Sequence, residues 1–344
     1  MSSAAPSGAS ATSGLSSTAS AAPPAGSATA RRPGGALREL TTVAQVVDAC
    51  EDDDLIVWAA QGMRPGVRAW VVGDAVAVAS PGASRRDRLA IRGSTACALP
   101  LVRHALAESG PTYRPFGDAE LVMAVSAGIE ELTEAVGFSW MVTAALAPAA
   151  PLPSRADDAA PAADADDLGR VGDGEGGGQA GRVLVPRPGS EPGSPVASGA
   201  GAEPRSEVGS EVGSSAGTGA TWLEPSADPE VGALLALANP SSYAVPGIPR
   251  VSRWAGIRDG SGELVAVAAD AWSAPAVGLM AGVATAVSAR GRGLAERVCR
   301  FVTAALLADH GRSALMVDDW NHSAVRLYER LGYARRRVAA NKTR

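Results

Sequence analysis

Two long stretches rich in Ala, Ser, Gly and Pro most strongly constrain how this chain can fold. They cover residues 1–35 and 147–221, the second with blocks such as GDGEGGGQAG and GSEVGSSAGTGA. Neither stretch shows apolar periodicity, so neither can bury enough apolar surface to offset its ordering entropy. We therefore predict a disordered tail and a long disordered linker. The two remaining segments, 36–146 and 222–340, are each long enough for a core of their own.

Charge and cysteine usage exclude several classes of protein. The formal net charge is −5, which gives no basic footprint for nucleic acid. No apolar run approaches the roughly 20 residues of a membrane span, and the N-terminus lacks a signal-peptide pattern, so we expect no membrane partner. The chain has an odd number of cysteines, and their spacing is not that of metal ligands: Cys50, Cys97 and Cys299. We predict buried reduced thiols, no metal site and a cytoplasmic protein.

The first segment reads as a mixed α+β domain. Arg68–Val72 and Ala75–Ala79 are strand-like and are joined by Gly73-Asp74, a two-residue hairpin turn signal. No recognisable chemistry appears in it. The other predicted elements are helical Leu37–Ala59, strand Arg88–Arg92, helix Ala98–Glu108 and helical Ala119–Ala135.

The second segment predicts the order β-β-β-α-β-α-β after an opening helix, which gives a mixed sheet covered by helices. Val277–Thr285 is apolar nearly throughout, as expected for a buried central strand. The other predicted elements are helix Asp228–Ala238, strands Arg253–Arg258 and Glu263–Asp270, helix Leu294–Asp309, strand Ser313–Asp318, helix Ser323–Leu331 and a last strand near Tyr333–Ala339.

A glycine-rich turn between a strand and a helix is the most informative motif. Glycines let the backbone approach a ligand closely, and the first amides of a helix lack intrahelical partners and lie at its positive end. This arrangement suits a diphosphate. The alternative is an ordinary glycine turn with solvated arginines. Glu296 excludes the dinucleotide-binding fingerprint, and no Gly-Lys-Ser/Thr follows. The candidate residues are Arg290, Gly291, Arg292, Gly293, Leu294 and Ala295.

This motif, R-G-R-G-L-A, resembles the acyl-CoA signature of the GNAT N-acetyltransferases, Q/R-x-x-G-x-G/A. The stretch Asn321–Tyr333, NHSAVRLYERLGY, is similar to the second GNAT signature, N-x-x-A-x-x-x-Y-x-x-x-G-F/Y. The resemblance covers about residues 222–340. The first segment resembles, more faintly, a degenerate copy of the same fold without a glycine loop.

The resemblance implies a GNAT fold, in which the mixed central sheet is splayed at the acyl-CoA site. It implies that the backbone of Val283, Ala284 and Thr285 pairs with the pantetheine amides of acetyl-CoA. It further implies that Asn321 contacts the pantetheine arm and that Tyr328 lies near the thioester sulfur. The residues allow simpler readings: Asn321 can cap the following helix, and Tyr328 can be a core tyrosine.

The general base is left unassigned. Many GNAT relatives carry a glutamate on the central strand, whereas Val277–Thr285 has no carboxylate. Trp320 is expected either to line an acceptor pocket or to pack. Arg335, Arg336 and Arg337 lie on the last strand, which we expect at the sheet edge, where they face water or reach an acidic group. The candidates for the base are Asp270, Asp318, Asp319 and His322.

The sequence therefore predicts an N-acetyltransferase. It would move an acetyl group from acetyl-CoA to a primary amine, on a small molecule or a protein, by direct attack in a ternary complex. Cys299 should take no covalent part. One alternative is a non-catalytic module that senses acyl-CoA, and another is a scaffold whose first segment recruits a protein substrate. The acceptor, the acyl length and the oligomeric state, including homo-oligomer formation, are left open.

Overall fold

The computed structural model describes residues 35–148 and 219–341, which we call the N-terminal half and the C-terminal half. The predicted tail and nearly all of the predicted linker lie outside the described residues. Both halves contain strands and helices in a similar order, with a three-stranded meander followed by a helix, a strand, a helix and a last strand. The predicted mixed α+β class is confirmed.

The N-terminal half departs from the sequence prediction at two helices. Predicted helical Leu37–Ala59 contains a short strand and two helices, because Glu51 and Asp52 take left-handed backbone conformations that end the first helix. Predicted helical Ala119–Ala135 stops eight residues early, and a strand begins where it was to end. The elements are β1 (Arg38–Leu40), α1 (Val43–Cys50), α2 (Asp54–Ala60), β2 (Arg68–Val72), β3 (Ala75–Ala83), β4 (Arg86–Arg92), α3 (Thr95–Ser109), β5 (Arg114–Asp118), α4 (Ala119–Ala127) and β6 (Ala135–Thr143).

In the C-terminal half, every predicted helix and strand is confirmed to within a few residues. The opening helix has its predicted bounds, and Pro229 lies in its first turn, where the missing amide costs no hydrogen bond. A short strand at the start is an addition. The elements are β7 (Thr221–Trp222), α5 (Asp228–Ala238), β8 (Val251–Arg258), β9 (Leu264–Ala271), β10 (Gly278–Thr285), α6 (Leu294–His310), β11 (Ser313–Val317), α7 (His322–Arg330) and β12 (Ala334–Asn341).

The last strands of the two halves are exchanged. All twelve strands form one sheet in the order β1-β2-β3-β4-β5-β12-β6-β11-β10-β9-β8-β7. Thus β12 of the C-terminal half pairs with β5, and β6 of the N-terminal half pairs with β11. The exchanged strands also pair with each other, antiparallel and over eight residues, from Ala334 opposite Val142 to Asn341 opposite Ala135.

The expectation that the last strand lies at the sheet edge is therefore wrong. β12 lies near the middle of the sheet, and its three arginines reach acidic groups. Arg336 forms ion pairs with Asp53 at 2.7 Å and Asp118 at 3.3 Å, both in the N-terminal half. Arg335 and Arg337 pair with Asp319, as described below.

The exchange gives one sheet face a continuous core. On this face, which we call the shared face, α1, α2 and α5 cover apolar residues from both halves. On the opposite face, α3 and α4 cover one cluster and α6 and α7 cover another. Trp58 crosses between the halves on the shared face, where its indole N–H donates to the carbonyl of Trp272 at 2.9 Å.

The exchanged strand β6 contributes the centre of this shared core. Trp140 is fully buried and lies 5.4 Å, ring to ring, from Trp58 and 6.3 Å from Phe116. Its indole N–H donates to Asp54 at 3.0 Å. One side chain therefore packs on helix α2 and strand β5 while its own strand pairs with β11 and β12.

We predict that Trp140→Ala lowers the free energy of unfolding by about 3–5 kcal/mol, because it leaves a large cavity and an unpaired partner in the shared core. The measurement is urea unfolding followed by tryptophan fluorescence. Trp320→Ala is the matched control, since that indole is 71% exposed, and it should change the free energy by less than about 0.5 kcal/mol. Equal effects of the two replacements would contradict this account of the core.

Candidate functional site

A glycine turn leads from β10 into α6, as the sequence predicted. After a short 3₁₀ turn, Gly291 and Gly293 adopt φ values of 73° and 70°, which side chains rarely tolerate. Gly293 is the N-cap of α6 and makes no side-chain capping hydrogen bond. Arg290, Arg292 and both glycines are exposed, whereas Leu294 is buried and Ala295 half-buried. The first amides of α6 are thus positioned to bind an anion.

Strands β10 and β11 separate beyond their first residues and leave an open groove. Their parallel pairing covers only Gly278–Met280 on β10. Past this point β10 bulges, with a register shift against β9 between Ala281 and Ala284. Gly282 has φ of 64°, and a Cβ there would lie 2.5 Å from the Trp254 ring. Only glycine fits this bulge, so the local sequence enforces the separation.

The predicted residues Val283, Ala284 and Thr285 lie on the separated part of β10. Ala284 and Thr285 keep their pairing with β9, and the side that faces away from β9 borders the groove. Asn239, at the end of α5, donates its side-chain amide to the Val283 carbonyl at 3.1 Å. Sequence reasoning missed Asn239, because a contact over 44 residues has no local signal.

Asn321 is the N-cap of α7, so the simpler reading of this residue is confirmed. Its side-chain oxygen accepts from the Ala324 amide at 3.2 Å and from the Ser323 hydroxyl at 3.1 Å. These bonds use only the oxygen, so the amide nitrogen of Asn321 remains as a donor.

Tyr328 is buried beside α6, in the same apolar cluster as Leu294 and Val283. Its ring meets Tyr333 edge to face at 6.0 Å. Among the described residues no hydrogen bond to its hydroxyl is found, whereas the Tyr333 hydroxyl contacts Thr303 and Ser313 at 2.8 and 2.7 Å. Burial raises the pKa of Tyr328 well above its ordinary value, with smaller contributions from neighbouring Cys299 and Tyr333. The hydroxyl is therefore protonated at neutral pH and can donate.

The four candidates for a general base differ in position. Asp270 pairs across from Met280 at the closed end of the groove and is held by Arg253 at 3.3 Å and Ser273 at 2.6 Å. Asp318 directly follows β11 at the open end, where burial and then neighbouring Asp319 raise its pKa. His322 is the exposed first residue of α7.

Asp319 is fixed by groups from both halves. Its carboxylate accepts from the Ser139 hydroxyl of β6 at 2.5 Å and pairs with Arg335 at 2.8 Å and Arg337 at 3.1 Å. Burial raises the pKa of Asp319. The hydrogen bonds from Ser139 and Arg335 and the charges of both arginines together outweigh burial, so the net shift of the pKa is downward. Asp319 thus stays ionised and positions the loop that carries exposed Trp320.

The N-terminal half has no equivalent groove. Strands β4 and β5 pair through Ile91 and Gly117, each one residue from its strand's end. The start of α3 is occupied by Asp74, which accepts from the Ser94 amide at 2.9 Å and from its hydroxyl at 2.8 Å. This carboxylate takes the place where an external anion would bind.

Three further findings concern the described residues. None of their helices is both long enough and apolar enough to cross a bilayer. They hold no group of three or more His, Cys, Asp or Glu side chains arranged to bind a metal ion. The three predicted free cysteines are buried and unpaired in disulfides, as expected.

Comparison with known proteins connects this site to a family. The family model described as FR47-like protein matches residues 255–341, which include the glycine turn, β10, β11 and α7. A comparison with curated protein sequences gives no significant match.

Several solved structures are similar to parts of the chain. A GNAT-family protein from Novosphingobium aromaticivorans is 35% identical over 36% of this chain, with a TM-score of 0.33, and the match spans 55% of that protein. A GCN5-related N-acetyltransferase from Kribbella flavida is 17% identical over 83% of this chain and 93% of its own, with a TM-score of 0.44. A GNAT family N-acetyltransferase from Escherichia coli, solved in complex with CoA, is 19% identical over 26% of this chain and 56% of its own, with a TM-score of 0.23.

We predict a pH-dependent stability role for Asp319. Because its pKa is lowered in the folded state, its ionisation stabilises the fold above its unfolded pKa of about 4, and this contribution is lost as the pH falls through the folded value. Asp319→Asn should therefore be less stable than the wild type at pH 7, and the difference should shrink toward pH 3. The measurement is urea unfolding at several pH values. Glu131→Gln, an exposed control, should show no such trend, and a difference that grows toward pH 3 would refute the assignment.

Proposed function

We propose that this protein is a GNAT-type acetyltransferase that transfers an acetyl group from acetyl-CoA to a primary amine. The match of residues 255–341 to the FR47-like family model supports the proposal. Acyl-CoA-dependent acetyl transfer is the activity supported at the level of the family. The observation that carries the proposal for this chain is the open groove between β10 and β11, which ends at the uncapped glycine start of α6.

The groove and the turn divide the work of holding acetyl-CoA. The pyrophosphate would accept hydrogen bonds from the amides of Gly291 through Ala295, at the positive end of α6. The pantetheine arm would lie along residues 281–285 of β10 as an added strand. The unused amide nitrogen of Asn321 is available to the same arm from the other side of the groove.

The reaction joins an amine nitrogen to the acetyl carbon and breaks the carbon–sulfur bond. An alkyl ammonium has a pKa of about 10.4, so forming the neutral amine at pH 7 costs about 4–5 kcal/mol. A base at the open end of the groove would lower this cost, and Asp318 and His322 are the candidates in that position. A backbone amide of the separated strand would stabilise the oxyanion.

The leaving thiolate needs a proton, and Tyr328 is suited to give it. Its raised pKa keeps the hydroxyl protonated, and no hydrogen bond among the described residues competes for that proton. The ammonium loses two protons overall. One of them replaces the proton that Tyr328 gives to the sulfur, and the other is released to solvent.

Incubation with acetyl-CoA and a mixed library of amines tests the proposal directly. Thiol release together with the mass gain of an acetyl group on one amine would support the enzyme. Thermal stabilisation by acetyl-CoA without thiol release from any amine would instead favour a non-catalytic module that senses acyl-CoA. The absence of a carboxylate on β10 is the observation that favours this alternative.

We predict that Gly293→Val weakens acetyl-CoA binding at least tenfold, because the φ of 70° is strained for valine and the amides of the turn must move. The measurement is calorimetric titration with acetyl-CoA. Gly311→Val is the matched control at the other end of α6, with φ of 77° and equally open space beside it, and it should leave the affinity unchanged. If both variants bind as tightly as the wild type, the turn does not hold the pyrophosphate.

We predict that Tyr328→Phe lowers kcat by one to two orders of magnitude while the Kd for acetyl-CoA stays nearly constant, the pattern of a lost proton donor. The measurement is thiol release under saturating acetyl-CoA. Tyr333→Phe is the control: it breaks two buried contacts and should cost about 1–3 kcal/mol of stability with little change in kcat. An unchanged rate in Tyr328→Phe would remove this residue from the chemistry.

A further inference from the structure

A cavity lies between the two halves on the shared face. Its volume is about 360 Å³, which is enough for part of a small metabolite. Arg85 and Arg86, at the turn between β3 and β4, contribute one wall, and residues 240–243, in the loop after α5, contribute the other. The N-terminal half, which has no groove of its own, thus supplies one wall of this cavity.

The cavity borders the groove through a single loop. Asn239 begins the loop and bonds to the Val283 carbonyl of β10. Ala244 ends it, and its Cβ lies 3.2 Å from where a side chain at Gly282 would begin. Tyr243, the residue before Ala244, lines the cavity. The loop of residues 239–244 therefore separates the cavity from the bulge of β10.

Positive charge collects beside this cavity. The Arg86 guanidinium lies 5.6 Å from the Tyr243 ring centre. Arg88 follows on the same face of β4, and its register partner on β5 is Arg114. Among the ion pairs of the described residues, none involves Arg85, Arg86, Arg88 or Arg114, and the nearby Asp87 accepts instead from the Gly82 amide and the Thr112 hydroxyl.

Arg88 is the most unusual member of this cluster. The residue is only 7% exposed, its guanidinium lies 5.3 Å from the Phe116 ring centre, and its Nε has no hydrogen-bond partner among the described residues. Burial lowers its pKa to about 10, partly offset by Tyr243, while Arg114 and Arg86 lower it further. A buried guanidinium without a counter-ion is costly, and an anion in the neighbouring cavity would lower that cost.

We propose that the cavity binds an oxyanion carried by the amine acceptor, so that the amine points into the groove at the β10 bulge. Arg86 in the cavity wall would bind the anion, and Arg88, the next residue on the same face of β4, would contribute its positive charge from behind the wall. The acceptor is then a small amine with a carboxylate or a phosphate group, because the guanidinium fork fits both. This inference rests on the proposed function, since it names the substrate class of the same site.

Matched pairs of amines test the substrate class on the full chain. With acetyl-CoA saturating, 6-aminohexanoate is compared with hexylamine, and phosphoethanolamine with ethanolamine. In at least one pair the anionic member should have a kcat/KM at least tenfold higher, mainly through KM, and the preferred pair identifies carboxylate or phosphate. Arg86→Gln and Arg88→Met should remove that preference, and Arg38→Gln, an exposed arginine on edge strand β1, should retain it. Turnover without preference for the anionic members would overturn the inference and leave the proposed function standing.

A binding measurement separates this inference from the acetyl transfer itself. Glutarate or inorganic phosphate should raise the melting temperature of the CoA-saturated wild type, and the increase should be lost in Arg88→Met. If the increase is seen in the wild type and lost in Arg88→Met, but no amine gives thiol release, the proposed acetyl transfer is refuted and the anion site is supported. No stabilisation of the wild type by either anion would overturn the anion site.

The stability of the free Arg88→Met variant excludes a merely structural role. Methionine has similar length and packs well on an aromatic ring, and it removes a buried charge that has no counter-ion. The melting temperature of the free variant should therefore equal or exceed that of the wild type. A fall in melting temperature with unchanged anion binding would show that Arg88 serves the fold, and the inference would fail.

Discussion

The backbone pairing of the two exchanged strands is the constraint on which the structure depends. Because β12 lies between β5 and β6, and β6 between β12 and β11, neither half completes its own sheet. The ion pairs of Arg336 with Asp53 and Asp118 and the bond from Trp58 to Trp272 follow from this arrangement. The shared core, the fixed Asp319 and the cavity between the halves exist only because the strands are exchanged.

The two halves share one order of strands and helices but differ at the position of the groove. In the C-terminal half, two glycines and a bulge keep a strand, a groove and a helix start open to a ligand. In the N-terminal half, β4 and β5 stay paired, and the Asp74 carboxylate caps α3 from within. An internal carboxylate at a helix start satisfies the same amides that an external phosphate would. The start of α6 therefore lacks a side-chain cap, whereas a carboxylate of the N-terminal half itself lies at the start of α3.

Local sequence signals predicted most of the C-terminal half and missed the connections between halves. The turn at Gly73-Asp74, the opening helix with Pro229 and the glycine start of α6 have short-range causes, and the structure contains each. The sequence does not predict β6, and it predicts an edge position for β12, because period and composition do not specify which strand pairs with which. Asn239 and Arg88 escaped notice for the same reason, since their importance comes from residues far along the chain.

The exchange also sets an order of events as the chain is made. Domains generally fold from the N-terminus during synthesis. Strand β5, however, can pair with its second neighbour only after β12 has been synthesised, more than 200 residues later. Until then the nascent N-terminal half presents an unpaired strand edge, the kind of surface that recruits other chains. Pairing with β12 removes this exposed edge.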